Sequence, residues 1–150
     1  MSSGHANRPK ASSPAVSAAM KEVRSKDNPG ELAIRKLLYH AGFRYRVHFI
    51  PKNFPYPRTE IDIAFPGLKI AVFLDGCFWH DCPQHGVIPK ANREWWQKKL
   101  RDNKTRDQKV TAALEYRNWI VLRFWTHESR DSIAGNVIEK VQLRRSNSKI

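Results

Sequence analysis

Both cysteines of the chain lie in one short stretch, FLDGCFWHDCPQH, which runs from Phe73 to His85. Cys77 and Cys82 have four residues between them, and His85 follows after two more. Thiolate sulfur and imidazole nitrogen both suit zinc, and structural zinc sites take four protein ligands. His127, just past a predicted strand, is the best candidate for the fourth ligand. The spacing favours a structural zinc site, and two buried thiols beside two surface imidazoles are the alternative.

Carboxylates occupy positions where packing alone would not put them. The predicted core stripe of the long helix REWWQKKLRDNKTRDQKVTAALEYRN consists of Trp96, Leu100, Val110 and Leu114. Asn103 and Asp107 fall in that same stripe, and Glu31 lies on the apolar line of an earlier helix. A carboxylate among core-facing positions is costly unless it has a partner. These acids are therefore candidates for a shared site.

Asp62 is a further acid of this kind. In the strand EIDIAF it is predicted to point opposite to Ile61, Ile63 and Phe65, and a hairpin brings it near Asp75. Acids that converge from a strand and two helices suit Mg²⁺, which prefers oxygen ligands and keeps waters or a substrate phosphate. The pattern thus predicts a catalytic magnesium site.

His80 lies between the two cysteines and is a candidate general base or acid, with Asp107 orienting its ring. For two of the acids, a purely structural role remains an alternative to a catalytic one. Glu31 can be only a helix-capping acid, and Asp75 can be only a turn residue beside Gly76.

Capping and periodicity predict the elements that position these residues. Residues 1–20 are rich in Ser, Ala and Pro, which predicts a disordered tail. A capping-box pattern starts a helix at Asn28, and Gly42 ends it. Two strands flank a Pro-Gly turn as an antiparallel hairpin, and the buried strand WIVLRFW follows the long helix. The order is α-β-β-β-α-β-α, an α/β domain over residues 21–143 with a basic tail at 144–150.

The net charge of +13 and the pI of about 10.1 predict a polyanionic partner, with nucleic acid as the first candidate. Residues 93–109 carry much of the excess, and a helical face bearing Lys99 is a plausible contact for phosphates. A membrane-surface role ranks low, since no long apolar run is present. Residues 1–20 lack the apolar segment of a signal peptide, so we expect a reducing cytoplasm, where paired thiols bind metal sooner than they form a disulfide.

Adjacent aromatic residues recur at Phe78-Trp79 and Trp95-Trp96. Such rings can insert between base steps and kink a duplex. Their alternative role is packing beneath the metal loop.

Together, these residues resemble the very short patch repair (Vsr) endonucleases, a family of bacterial DNA mismatch nickases. The matching segments are ELAIRKLL, HAGFRYRVH, AVFLDGCFWHDC, REWWQKKLRDNKTRD and NWIVLRFWTHE. The resemblance implies a restriction-endonuclease-like PD-(D/E)XK core with a zinc-stabilised loop. It also implies that Asp62 binds Mg²⁺, that His80 is catalytic with Asp107 as its partner, and that Glu31 is the acid of the first helix.

The same resemblance assigns the remaining site residues. Its implied zinc ligands are Cys77, Cys82, His85 and His127, the last in place of a cysteine. The aromatics implied to wedge into DNA are Phe78, Trp79 and Trp96, and we add Lys99 and Asn103 as DNA contacts.

Three positions depart from the family pattern. Ile61 stands in place of the proline before the aspartate, and Leu74 stands in place of a threonine. Asp75 stands in place of a histidine that touches the phosphate; an acid there can instead add a metal ligand.

The resemblance implies a Mg²⁺-dependent endonuclease that nicks one strand 5′ to the T of a T:G mispair, starting repair of deaminated 5-methylcytosine. We expect a bacterial, nucleoid-associated monomer that acts on double-stranded DNA, and recruitment by mismatch-repair proteins stays open. Two alternatives remain: a restriction-type nuclease of the same fold with another DNA target, and a zinc-stabilised DNA-binding module without catalysis.

Overall fold

The computed structural model describes residues 28–54, 59–76 and 90–148. Its helices are α1 (Pro29–His40), α2 (Arg93–Tyr116) and α3 (Arg130–Ser148). Its strands are β1 (Arg46–Phe49), β2 (Ile61–Phe65), β3 (Ile70–Asp75) and β4 (Ile120–Trp125). The predicted α/β class and element order are confirmed. The N-terminal tail and the cysteine-bearing loop lie outside the described residues.

Helix α1 begins as its sequence predicts. The Asn28 side chain accepts a hydrogen bond from the Glu31 backbone N–H at 3.0 Å, and Pro29 occupies the first helical turn. The helix ends at His40, and Gly42 follows with a φ of 93°, a left-handed conformation that a residue with a side chain rarely adopts. The Glu31 side chain is thereby fixed in the first turn, on the face that meets the sheet.

The four strands form one sheet in the order β1-β2-β3-β4. The β1–β2 and β2–β3 pairs are antiparallel, and the predicted hairpin across Pro66 and Gly67 is confirmed. The β3–β4 pair is parallel and keeps register from Ile70↔Ile120 to Asp75↔Trp125. A parallel pair needs a long crossover connection, and α2 lies within it.

Helices cover both faces of the sheet. Helices α1 and α3 pack together over one face, around a core that contains Ile34, Ile63 and Val137. Helix α2 covers the other face through Val110 and Leu114. The four α2 residues predicted to form its core stripe are those that the structure buries. The site residues on β2 and β3 therefore lie between α1 on one side and α2 on the other.

Two predictions about the strands are wrong in detail. Ile61 packs in the α2-side core with Ala64 and not with Ile63 and Phe65. Ile61 still pairs with Phe49 of β1, but its pairing with β3 has ended. The adjacent β1 residue His48 has a φ of 49°, outside regular strand geometry, so strict alternation does not hold at this end of β2. Strand β4 is half-buried along its whole length, because it is the edge strand of the described sheet.

Helix α3 continues through Ser148, so it includes residues that the sequence assigned to a basic tail. Its Arg144 donates to the backbone carbonyls of Leu68 at 3.1 Å and Asn118 at 2.8 Å, and so ties the helix to the starts of β3 and β4. Within the described ranges, no helix is both long and apolar enough to cross a membrane.

Candidate active site

The Asp62 carboxylate lies where β2 and β3 stop pairing. The paired register of the two strands ends at Ile63↔Val72. The backbone N–H of Leu74, further along β3, donates instead to Asp62 Oδ2 at 2.8 Å. A side-chain oxygen thus takes the place of a backbone acceptor, and the carboxylate is held between two strands.

Burial raises the pKa of Asp62 to about 7. The Leu74 N–H opposes the shift because it stabilises the ionised form, whereas the nearby acids Glu31 and Asp75 raise the pKa further. His48 has a smaller, lowering effect. The structure therefore brings three of the predicted acids, Glu31, Asp62 and Asp75, into electrostatic range of one another.

Glu31 is held by a cation on its own helix. Its carboxylate pairs with the Arg35 guanidinium at 3.2 Å, and both side chains are about nine-tenths buried. The same Arg35 Nη2 lies 3.3 Å from His48 Nε2. The other ring nitrogen of His48, Nδ1, lies 3.7 Å from Glu60 Oε1.

His48 has a backbone φ of 49°, unusual for a strand residue with a side chain. It lies between the pairs Val47↔Ile63 and Phe49↔Ile61, and so sits opposite Asp62. Backbone strain of this kind concentrates at functional sites. The network from Glu31 through Arg35 and His48 to Glu60 therefore approaches Asp62 from α1, from β1 and from the residue that precedes β2.

Asp75 is paired with Arg123 of β4. The two side chains approach at 3.2 Å, and that of Asp75 is 11% exposed. The interpretation of Asp75 as only a turn residue is wrong, because the residue belongs to β3 and carries this ion pair. The pairing also leaves Asp75 less available as a metal ligand.

Helix α2 places its predicted residues at different depths. Asp107, Lys99 and Asn103 are half-buried, and the backbone carbonyl of Asp107 accepts a hydrogen bond from Arg123 at 3.2 Å. Trp96 is 1% exposed and stands edge-on to the Trp95 ring, with the ring centroids 4.8 Å apart. Because the Trp96 ring is buried, it could contact DNA only if the residues that cover it moved.

Several predicted residues fall outside the described ranges: Cys77, Phe78, Trp79, His80, Cys82 and His85. His127 is described and is exposed on the turn after β4. Strand β4 pairs with β3 up to Asp75↔Trp125, and the Thr126 N–H donates to the Asp75 carbonyl at 3.0 Å. His127 therefore lies at the sheet end from which the cysteine-bearing segment departs after Gly76.

The described part of the chain contains no group of three or more His, Cys, Asp or Glu side chains arranged to hold a metal ion. Magnesium does not require such a cage, because it often takes one or two carboxylates together with waters and phosphate oxygens. A half-buried carboxylate with a raised pKa and two acidic neighbours suits a divalent cation, since the cation supplies the missing positive charge.

Four residues of this site were not predicted from the sequence: Arg35, His48, Glu60 and Arg123. Arg123 gave the clearest signal, as the one charged residue in the strand IVLRFW. His48 occupies a strand position opposite Asp62, which becomes evident only once the β1–β2 register is known.

Residues 12–84 match the family model described as DNA mismatch endonuclease Vsr. The chain is 41% identical to the type II nicking enzyme V.NaeI of Lentzea aerocolonigenes over 79% of this chain and 72% of that protein. It is 39% identical to the type II nicking enzyme V.XorIIP of Xanthomonas oryzae pv. oryzae, over 75% of this chain and 79% of that one.

A more distant relative is the DNA mismatch endonuclease Vsr of Escherichia coli, 27% identical over 71% of this chain and 65% of that protein. The family match and the extent of these similarities agree with the resemblance carried by the motifs. The chain belongs to the Vsr family of DNA mismatch endonucleases, whose core is restriction-endonuclease-like.

Proposed function

We propose that this endonuclease of the Vsr family is a Mg²⁺-dependent nickase, which cuts one strand of duplex DNA 5′ to the T of a T:G mispair. The observation that carries the proposal is the Asp62 carboxylate, held by the Leu74 N–H where β2 and β3 part and flanked by two further acids. Such a carboxylate is costly for a fold to maintain, which favours a functional reason for its placement.

Asp62 is the residue that would hold the cation, with Glu31 as the nearest acid on α1. When bound, Mg²⁺ supplies positive charge to the scissile phosphate and to the oxygens that gain charge in the displacement. Arg35 pairs with Glu31 and Arg123 pairs with Asp75, so each of the two acids beside Asp62 has an arginine as its counter-ion.

His80 and Asp107 are the proposed proton-handling pair. His80 would accept the proton of the attacking water, and Asp107 would fix the orientation and tautomer of the imidazole. Asp107 is suited to this role because it is half-buried on α2, on the side of the helix fastened to β4 through Arg123.

The surface of α2 supports DNA as the substrate. Exposed cations on this helix include Lys98, Arg101, Lys104, Arg106 and Lys109, and this excess of positive charge suits a phosphate backbone. Phe78, Trp79 and Trp96 are proposed to open the duplex, with Lys99 and Asn103 as further contacts. Cys77, Cys82, His85 and His127 are proposed to bind a structural Zn²⁺.

The relatives support the kind of cleavage proposed. Those from Lentzea aerocolonigenes and Xanthomonas oryzae are nicking enzymes, which supports cleavage of one strand, and the Escherichia coli relative is a mismatch endonuclease. The proposed lesion is the T:G mispair left by deamination of 5-methylcytosine, as the resemblance of the motifs implies. We also propose that the protein acts as a monomer on bacterial DNA.

A strand-resolved assay tests the proposal. Duplexes labelled separately on each strand, carrying T:G, other mismatches or no mismatch, are incubated with Mg²⁺ or with EDTA. We expect cleavage only of the T-bearing strand, only with Mg²⁺, and none by the Asp62→Asn variant. Equal cleavage of matched duplexes would point to a restriction-type target, and DNA binding without cleavage would remove the catalytic assignment.

A further inference from the structure

Arg123 is a charged residue in the middle of an otherwise apolar strand, and each of its three guanidinium nitrogens donates a hydrogen bond. Nε donates to Thr111 Oγ1 at 2.8 Å, and Nη2 donates to the Asp107 carbonyl at 3.2 Å. Nη1 donates to the Asp75 carboxylate oxygens at 3.2 and 3.4 Å. The guanidinium carbon also lies 4.2 Å from the centre of the Phe73 ring.

These contacts join two elements that carry site residues. Asp107 and Thr111 are four residues apart and lie on one face of α2, which Arg123 thereby fastens to β4. On its other side Arg123 holds Asp75, and Asp75 directly follows Leu74, whose N–H holds Asp62. One side chain thus connects the turn of α2 that bears Asp107 with the end of β3 that holds Asp62.

The planar fork of an arginine suits this arrangement because its donors have fixed relative directions. A lysine would keep the charge, yet its single ammonium group cannot reach three acceptors in three directions. The side chain of Arg123 is 23% exposed, and its hydrogen bonds are made within the protein, so it is placed to organise the site and not to grip a ligand.

We propose that Arg123 is a positioning residue for the nicking reaction: it fixes Asp107 relative to Asp62, with Asp75 as its counter-ion. The inference rests on the proposed function, in which Asp62 would hold the cation and Asp107 would orient the imidazole of His80. Asp75 accordingly serves the site through Arg123 and not as a second metal ligand.

Arg144 provides a matched control. It also ties a helix to the sheet, by donating to the backbone carbonyls of Leu68 and Asn118, at the opposite end of β3 and β4. Its loss should weaken the fold without moving Asp107 relative to Asp62.

The test compares single-turnover nicking by the full chain carrying Arg123→Lys, Thr111→Val or Arg144→Met, at a temperature at which all are folded. We expect Arg123→Lys to nick about tenfold to a hundredfold more slowly, since small misplacements of reacting groups have effects of this size. Thr111→Val, which removes one acceptor and conserves shape, should be slowed less. DNA affinity should stay within about twofold of wild type, as for loss of a transition-state interaction alone. Arg144→Met should nick at nearly the wild-type rate.

Hydrogen exchange without DNA or metal supplies a readout that does not depend on activity. Amides of α2 around Thr111 should exchange faster in Arg123→Met than in Arg144→Met when the two are compared at matched global stability. Equal exchange in the two variants, or wild-type nicking by Arg123→Lys, would overturn the positioning role. Absence of nicking by the wild-type protein would instead remove the proposed function, while the exchange comparison still decides whether Arg123 fastens α2.

Discussion

Asp62 Oδ2 accepts the backbone N–H of Leu74 at 2.8 Å, beyond the last paired residues of β2 and β3. This bond stabilises the ionised carboxylate, but burial and the neighbouring acids outweigh it and leave the pKa at about 7. The fold therefore maintains an acid that resists ionisation near neutral pH. A divalent cation would relieve that resistance, and this links the stability of the protein to its proposed chemistry.

The first prediction concerns stability against pH without divalent metal. Below the ordinary pKa of 3.8, Asp62 is protonated in both the folded and the unfolded chain. As pH rises toward 7, the unfolded chain ionises first, so the contribution of Asp62 to the free energy of unfolding falls, by roughly 2–4 kcal/mol. Asp62→Asn avoids this loss and retains an oxygen acceptor for the Leu74 N–H. The variant should therefore be more stable than wild type at pH 8 and about equal to it below pH 4.

Urea unfolding between pH 3 and pH 9 in EDTA measures this difference. Asp102→Asn is the control, because Asp102 is exposed and pairs with Lys98 on the surface of α2. A wild-type curve parallel to that of Asp62→Asn across the whole range would show that Asp62 ionises normally in the folded protein.

The second prediction concerns binding of a divalent cation. Calcium, tested by titration calorimetry in the absence of DNA, should bind wild type at pH 8 and raise its thermal stability as ligand concentration increases. Asp62→Asn should bind at least about tenfold more weakly, because the variant loses an anionic oxygen ligand. Asp75→Asn should bind nearly as wild type, since Asp75 is already paired with Arg123. A greater loss from Asp75→Asn than from Asp62→Asn would place the cation elsewhere.

Local signals in the sequence were sufficient for much of the fold. The start of α1 depends on Asn28 and its neighbours, and the hairpin depends on a Pro-Gly turn, so both could be predicted from a few adjacent residues. The buried stripe of α2 followed from helical periodicity. The face of Ile61 could not be predicted from alternation. It depends on where β2 stops pairing with β3 and on the irregular backbone of His48 in β1, and both are set by long-range contacts.

The site was predictable only in part, for a related reason. Unfavourable placement of carboxylates marked Glu31 and Asp62, since a buried charge demands a partner whatever the fold. The partners themselves were not predictable, because Arg123 meets Asp75 only through the β3–β4 register and Arg35 meets His48 only through the packing of α1 on the sheet. Residue type and position were thus enough to predict the acids of the site, whereas the residues that pair with their neighbours depend on long-range contacts.

The third prediction tests the strained backbone at His48. His48→Gly and His48→Ala both remove the imidazole and its contacts with Arg35 and Glu60, so their difference isolates the backbone. Glycine normally destabilises a strand relative to alanine. At a φ of 49° the order should reverse, with His48→Gly more stable by about 1 kcal/mol in chemical denaturation. Greater stability of His48→Ala would mean that His48 has ordinary strand geometry in solution.

The fourth prediction concerns zinc and His127. The chain purified with zinc and dialysed extensively should retain about one zinc per chain, measured by mass spectrometry, as expected for a structural site with four protein ligands. His127→Ala should lose most of that metal and melt at a lower temperature, because zinc binding contributes directly to folding stability. His40→Ala, which removes an exposed histidine at the end of α1, should retain the metal. Full zinc retention by His127→Ala, or unchanged melting of wild type in strong chelator, would exclude His127 from a structural zinc site.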